Sequence, residues 1–169
     1  GPYDMTNETG KTYVAYLFAD GDESRAQIFG ADADQSIIKC GTYIGSSTEG
    51  SPEVNLGWEP QWLLIKNISS SSTNWVLVDT MRSLPVGSDS NRLFANTNDD
   101  EGGYRVAELT ATGFKLGQNV SYSNQNGDDY IYIAIRRGPM KTPEDATKLF
   151  NIKLRTGTQN DSTTTGIGF

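Results

Sequence analysis

The chain carries twenty-one carboxylates and fourteen cationic side chains but no histidine. Without imidazole there is no Ser-His-Asp triad, no Cys-His dyad and no histidine-ligated zinc. A pair of carboxylates could still act on a glycosidic bond, their separation deciding the stereochemical outcome. Glu53, Glu59, Asp79, Asp99, Asp100, Glu101 and Glu108 are the candidates. They fall mostly in turns or at strand ends, and nothing in their spacing selects two of them. No catalytic residue is assigned, and the chain is expected to be non-enzymatic.

Two acidic loops have the oxygen-rich make-up that hard cations favour. Asp20-Gly21-Asp22-Glu23-Ser24 alternates oxygen ligands as a calcium loop does. An EF-hand needs Gly at the sixth position and Glu at the twelfth, where this chain has Arg25 and Ala31. Asn98-Asp99-Asp100-Glu101-Gly102-Gly103 is the second acidic loop. Both are expected to be solvated turns. No metal or cofactor is assigned, with a surface calcium ion of non-EF type left open. The single cysteine, Cys40, has no partner in the chain for a disulfide. It is expected to be a small half-buried residue opening a strand, with no histidine to activate it.

Recognition has better material. Trp58, Trp62, Trp75, Tyr104, Tyr122 and Tyr132 offer flat apolar faces with polar edges, suited to stacking on sugar rings. Core packing competes for the same residues. Trp62 and Trp75 lie in apolar runs and are expected in the core, where they could meet as a cross-strand pair. Tyr104 and Tyr122, beside Gly, Ser and Asn, are expected to be exposed. Asp79 and Arg82 should form an ion pair that fixes the following loop. Arg136-Arg137 could meet a neighbouring subunit or solvent. A net charge of -7 without a basic stripe argues against nucleic acid or an anionic membrane as partner. No stretch approaches the roughly 18 apolar residues of a membrane span.

These residues must be positioned by β-structure. Of 169 residues, 36% are hydrophobic, 21% are charged and 18 are glycine. Short aromatic and β-branched runs alternate with polar turn clusters throughout. Tyr13-Val14-Ala15-Tyr16-Leu17-Phe18, Gln61-Trp62-Leu63-Leu64-Ile65-Lys66, Asn74-Trp75-Val76-Leu77-Val78-Asp79, residues 105–109, Gly113-Phe114-Lys115-Leu116 and Tyr130-Ile131-Tyr132-Ile133-Ala134-Ile135 read as strands. The second and third of these form a hairpin. The Trp62 run is nearly continuous in apolar residues, as for a strand covered on both faces. Seven or eight short strands predict an all-β chain, an antiparallel β-sandwich of jelly-roll or lectin-like type. One short C-terminal helix is expected over 142–149, with Thr142 as N-cap, Pro143 at the first position and Glu144 and Asp145 in the first turn. Polar loops at 67–73, 83–92, 96–104 and 117–129 would be displayed by the sandwich.

The two ends of the chain echo one another. Gly10-Lys11-Thr12-Tyr13-Val14 matches Gly127-Asp128-Asp129-Tyr130-Ile131, and Ile38-Lys39 with the Thr42 and Gly45 that follow matches Ile152-Lys153 with Thr156 and Gly157. The repeat implies a unit of roughly 110 to 117 residues. Residues 1–34 are then the tail of a preceding β unit or an added strand, and 35–140 the main sandwich. Residues 141–169 are the short helix and the start of a following unit or an added strand. An array of β units suits a fibre or an appendage.

Several of these segments resemble large bacteriophage structural proteins of the marine, cyanophage-like kind. The most specific are Leu56-Gly57-Trp58-Glu59-Pro60-Gln61-Trp62-Leu63-Leu64-Ile65-Lys66 and Arg136-Arg137-Gly138-Pro139-Met140-Lys141-Thr142-Pro143. Tyr13-Val14-Ala15-Tyr16-Leu17-Phe18-Ala19, Ile38-Lys39-Cys40-Gly41-Thr42-Tyr43 and Asp79-Thr80-Met81-Arg82 add to them. The resemblance runs in order from about Tyr13 to Lys148, with differences in loop length at 69–73 and 83–92. In those proteins such a β-rich domain often lies next to a concanavalin A-like, LamG-type domain. The resemblance implies a virion component, in a tail fibre or other surface appendage, and it supplies no catalytic residues; the expected role is a structural β-domain of a tail fibre or spike, with host-surface polysaccharide as a candidate contact. Its partners would be other virion proteins or copies of itself. A carbohydrate-binding module of a secreted, extracellular bacterial enzyme or adhesin, and a capsid decoration protein, are the competing roles.

Overall fold

Tyr130-Ile131-Tyr132-Ile133-Ala134-Ile135 forms the body of a central strand, and the sheet is built outward from it. A computed structural model describes residues 7–18, 36–82, 84, 89–138 and 150–156. Eleven strands lie among them: β1 (Thr12–Phe18), β2 (Ile38–Ile44), β3 (Glu53–Asn55), β4 (Pro60–Asn67), β5 (Val76–Asp79), β6 (Ser90–Phe94), β7 (Gly102–Tyr104), β8 (Ala107–Thr110), β9 (Gly113–Leu116), β10 (Asp129–Arg136) and β11 (Phe150–Thr156). They form a six-stranded sheet in the order β2-β10-β4-β5-β6-β7, a three-stranded sheet in the order β3-β9-β8, and a two-stranded ribbon of β1 and β11. All pairings are antiparallel. The chain is therefore an all-β sandwich. The helix expected over 142–149 lies outside the described residues. Among them, the one helical element is a 3-10 turn, Thr80–Arg82.

The period of two along each strand decides what is buried. On β10, Tyr130, Tyr132 and Ala134 are buried, while Ile131, Ile133 and Ile135 on the other face are half-buried. The register carries the buried face outward: Leu63 lies opposite both Ala134 and Val78, and Ile65 opposite both Tyr132 and Val76. The three-stranded sheet meets this face with Val54, Ala107, Phe114 and Leu116, all buried. Rings join the two layers, Phe114 standing edge-on to Tyr132 at 5.4 Å and to Tyr43 at 6.4 Å between centroids. The continuous apolar run of β4 supplies both faces: Leu63 and Ile65 enter the core, whereas Trp62 and Leu64 stay half-buried behind the sheet.

Two glycines are dictated by close approach. A Cβ on Gly41 would fall 2.7 Å from Cζ of Tyr132, whose ring lies across β2. A Cβ on Gly113 would overlap the carbonyl oxygen of Val54 on the neighbouring strand.

Where expectation and structure differ, local pattern was the weaker determinant. β6 begins inside the expected 83–92 loop and runs on to Phe94, and β7 falls inside the expected 96–104 loop. Ser90-Asn91-Arg92-Leu93-Phe94 and Gly102-Gly103-Tyr104 lack an apolar run, and their ladder hydrogen bonds to neighbouring strands hold them. The strand expected at 105–109 begins instead at Ala107. Arg105 and Val106 give their carbonyls to the amides of Gln118 and Gly117 at 2.9 Å each, beyond the end of β9.

Phe114→Ala should cost about 3–5 kcal/mol and Leu63→Ala about 2–5 kcal/mol, read as lower midpoints in urea unfolding with unchanged slope. Gly41→Ala should cost about 1–3 kcal/mol by forcing the Tyr132 ring aside.

Candidate functional site

At one end of the sandwich the loops are pinned by four buried side chains. Asn67, fully buried at the end of β4, accepts hydrogen bonds on Oδ1 from the amides of Ser69 (2.9 Å) and Ser70 (3.0 Å). Its Nδ2 donates to the Ser121 carbonyl at 2.7 Å and to Oδ2 of Asp128 at 2.8 Å. Asn124, also fully buried, accepts on Oδ1 from the Ser46 amide at 2.9 Å and donates from Nδ2 to the carbonyls of Gly117 (2.9 Å) and Ser51 (3.0 Å). The Tyr43 hydroxyl donates to the Ser123 carbonyl at 2.7 Å. The Tyr130 hydroxyl accepts from the Gln125 amide at 2.8 Å and donates to the Ser121 carbonyl at 3.0 Å. Burial pushes the Tyr43 phenol well above its ordinary value of 10.0, with neighbouring Tyr130 adding to the effect. Burial also raises Tyr130. Two of the four expected display loops, 67–73 and 117–129, are thus tied to the sheet and to each other. Sequence reasoning missed Asn67 and Asn124, because an asparagine among Ser, Asn and Gly has the composition of any solvated turn.

Tyr104 and Tyr122, expected to be exposed, are half-buried walls around a cation. The Arg92 guanidinium lies 4.7 Å from the ring centroid of Phe94, 5.3 Å from that of Tyr122 and 6.0 Å from that of Tyr104. Tyr122 meets Phe94 edge-on at 5.2 Å and Tyr104 at 6.2 Å. Burial raises the Tyr122 phenol, and the charge of Arg92 acts against that rise. Arg92 sits on the core-facing side of β6 with Phe94, so this cluster closes the open edge of the sandwich by cation–π contact.

The other end holds Trp62, half-buried on β4. Trp62 lies opposite Asp79 on β5 and Ile135 on β10. It does not pair with Trp75, which precedes β5 and whose amide donates to Oδ1 of Asn96 at 2.8 Å. The cross-strand tryptophan pair is therefore absent: the hairpin register sets Val76, not Trp75, opposite Ile65, and both indoles are half-buried. The core tryptophan is Trp58, and Tyr132 is buried with it. Gln61, Trp62, Asp79, Thr80, Met81 and Arg82 line an open cleft of about 300 Å³. Met81 projects into solvent, 93% exposed. Beside it a second cleft of about 350 Å³ is bounded by Trp58, Glu59, Arg136 and Arg137.

The charged groups at this end brace the walls. Asp79 accepts the Arg82 amide on Oδ1 at 2.9 Å and pairs through Oδ2 with the Arg82 guanidinium. The Arg82 Nε reaches Oε1 of Glu101 at 2.8 Å. One guanidinium thus joins the 3-10 turn to the acidic 98–103 loop. Arg137 pairs with Glu59, and the Arg136 amide donates to the Ile37 carbonyl at 2.8 Å. Of the candidate carboxylates, Asp79 alone lines the Trp62 cleft, and no second one faces it there. Among the described residues, no three of His, Cys, Asp and Glu are placed to hold a metal ion. The Asp20-Gly21-Asp22-Glu23-Ser24 loop lies outside them. Cys40 is half-buried on β2, opposite Ile133. The cleft brings the Trp62 indole together with an amide, a hydroxyl, a carboxylate, a thioether and a guanidinium already paired with Asp79 and Glu101.

Residues 2–139 match the model of a family described as a domain of unknown function, DUF7483. No curated protein and no solved structure matches the chain.

Asn124→Ala should cost about 1–3 kcal/mol for each backbone group it strands, measured by urea unfolding. Stability should hold up to about pH 10 and fall above it. The unfolded tyrosines ionise near 10.0 whereas Tyr43 and Tyr130 keep their protons when folded, so the unfolded state binds fewer protons there. Both therefore add to the alkaline decline in stability, and Tyr43→Phe should make that decline shallower.

Proposed function

We propose, for a chain that belongs to the DUF7483 family, a non-enzymatic structural role in a phage virion, as a β-domain of a tail fibre or spike that contacts host-surface glycans. The virion assignment rests on the sequence resemblance between about Tyr13 and Lys148. The glycan contact rests on one observation, the open cleft at Trp62 with Gln61, Thr80 and Arg82 around it. A cleft of this size holds one or two sugar rings, so a single contact is weak. Copies arranged along an appendage would convert weak contacts into firm attachment. The Arg82 brace supports this reading, because a preorganised surface loses less entropy on binding. The same cleft would serve a carbohydrate-binding module of a secreted enzyme or adhesin. A lectin or hydrolase domain in the same reading frame would favour that role, and neighbouring fibre genes the virion one.

Labelled chain, monomeric and multimerised, should bind intact marine bacteria saturably, with competition by their surface polysaccharide. Calcium should be varied in parallel. Trp62→Ala should weaken that binding about tenfold or more, with circular dichroism unchanged, and Gln61→Ala should weaken it less. Absence of binding in both forms would overturn the glycan contact and leave a spacer or a capsid-surface part.

A further inference from the structure

The segments that echo one another in sequence are paired with one another in space. β1 corresponds to β10 through Thr12-Tyr13-Val14 and Asp129-Tyr130-Ile131, and β11 to β2 through Ile152-Lys153 and Ile38-Lys39. The glycines that open the first pair share one left-handed conformation, Gly10 at φ 80° and Gly127 at φ 80°. β10 pairs with β2 antiparallel, and β1 pairs with β11 antiparallel. Carrying the β10–β2 register across the repeat would set Phe18 opposite Ile152, whereas Tyr16 takes that place. The displacement is two residues, an even number, so every side chain keeps its face.

We propose that the β1–β11 ribbon is an exchangeable joint between copies of this chain, in which β1 of one copy pairs with β11 of another. β1 has the character of a closing strand and β11 that of an opening strand, yet one chain supplies both. The seven-residue ladder between them can form within a chain or between chains with the same hydrogen bonds. Exchange therefore adds no contact and sacrifices none, leaving concentration to decide the form.

The ribbon's composition points to the same partner. Val14, Tyr16 and Phe18 are 55%, 66% and 42% exposed. The register sets them opposite positions 154, 152 and 150 of β11. The other face pairs Tyr13, Ala15 and Leu17 with Arg155, Lys153 and Asn151. β10, in contrast, is flanked on both sides, by β2 and β4. A two-stranded ribbon is marginal by itself in water, and an apolar face of this kind marks an association surface. Reciprocal exchange brings two such faces into one assembly.

The test uses full-length chains carrying Cys40→Ser. Opposed Cα atoms in an antiparallel ladder stand about 4.5 or 5.5 Å apart, within disulfide reach. Chains with Ala15→Cys and chains with Lys153→Cys, differing in tag mass, are refolded together at high concentration and oxidised. The mixed disulfide dimer should exceed either homodimer at least fivefold. If it does not, while the Ala15→Cys/Lys153→Cys double variant closes within single chains, the joint is intramolecular and the proposal fails. Light scattering on the unsubstituted chain gives a second readout. Its mass should at least double between micromolar and millimolar concentration, and a strict monomer throughout would overturn the proposal. Neither measurement involves glycan, so the cleft at Trp62 stands or falls separately.

Discussion

The stacked rings of Tyr43 and Tyr130, 4.9 Å between centroids and nearly parallel, tie the apolar core to the polar loops above it. Their faces belong to the hydrophobic cluster with Phe114 and Tyr132. Their hydroxyls belong to the network that holds the 117–129 loop. A tyrosine can do both because it is apolar over its ring and hydrogen-bonding at one atom. Moving either ring would disturb β2 against β10 and release the loop at once. Core packing and loop order are therefore one cooperative unit at this end, not a scaffold with decoration.

Much of this was legible in the sequence and some of it was not, for identifiable reasons. The long strands β1, β4 and β10 announce themselves, because seven or eight residues of aromatic and β-branched character have few other uses. The β4–β5 hairpin follows from two such runs with a Ser-rich turn between them. The short strands β3 and β7 are three residues each, too brief for any period to show. The aromatic residues were assigned less well than the strands. Trp75 stands one residue before β5, so the pairing with Trp62 that adjacent runs suggest is broken by register alone. Tyr104 and Tyr122 have polar neighbours in sequence but an arginine and a phenylalanine as neighbours in space. Asp79 and Arg82, three residues apart around a turn, were readable as a pair because the contact is local. Glu101, the third member, joins from a distant loop and left no mark.

The two ends of the sandwich divide their roles by how their polar groups are used. At the loop end, amides and hydroxyls are turned inward and consumed by backbone partners. At the Trp62 end, the ion pairs lie beneath and beside the clefts, leaving an indole, a methionine and an amide at the surface. Arg82 is the hinge of that arrangement. It holds one carboxylate at the end of β5 and a second from the 98–103 loop.

β7 is one margin of the six-stranded sheet, and it is short, glycine-rich and backed by Arg92. A Cβ on Gly102 would meet the Arg92 guanidinium, which would have to swing aside. Three residues, two of them glycine, make a poor template for another strand. The opposite margin, β2, is seven residues long and exposes Ile44. Among the described strands the two margins of this sheet are therefore unequal, one short and glycine-rich, the other long and carrying β-branched residues.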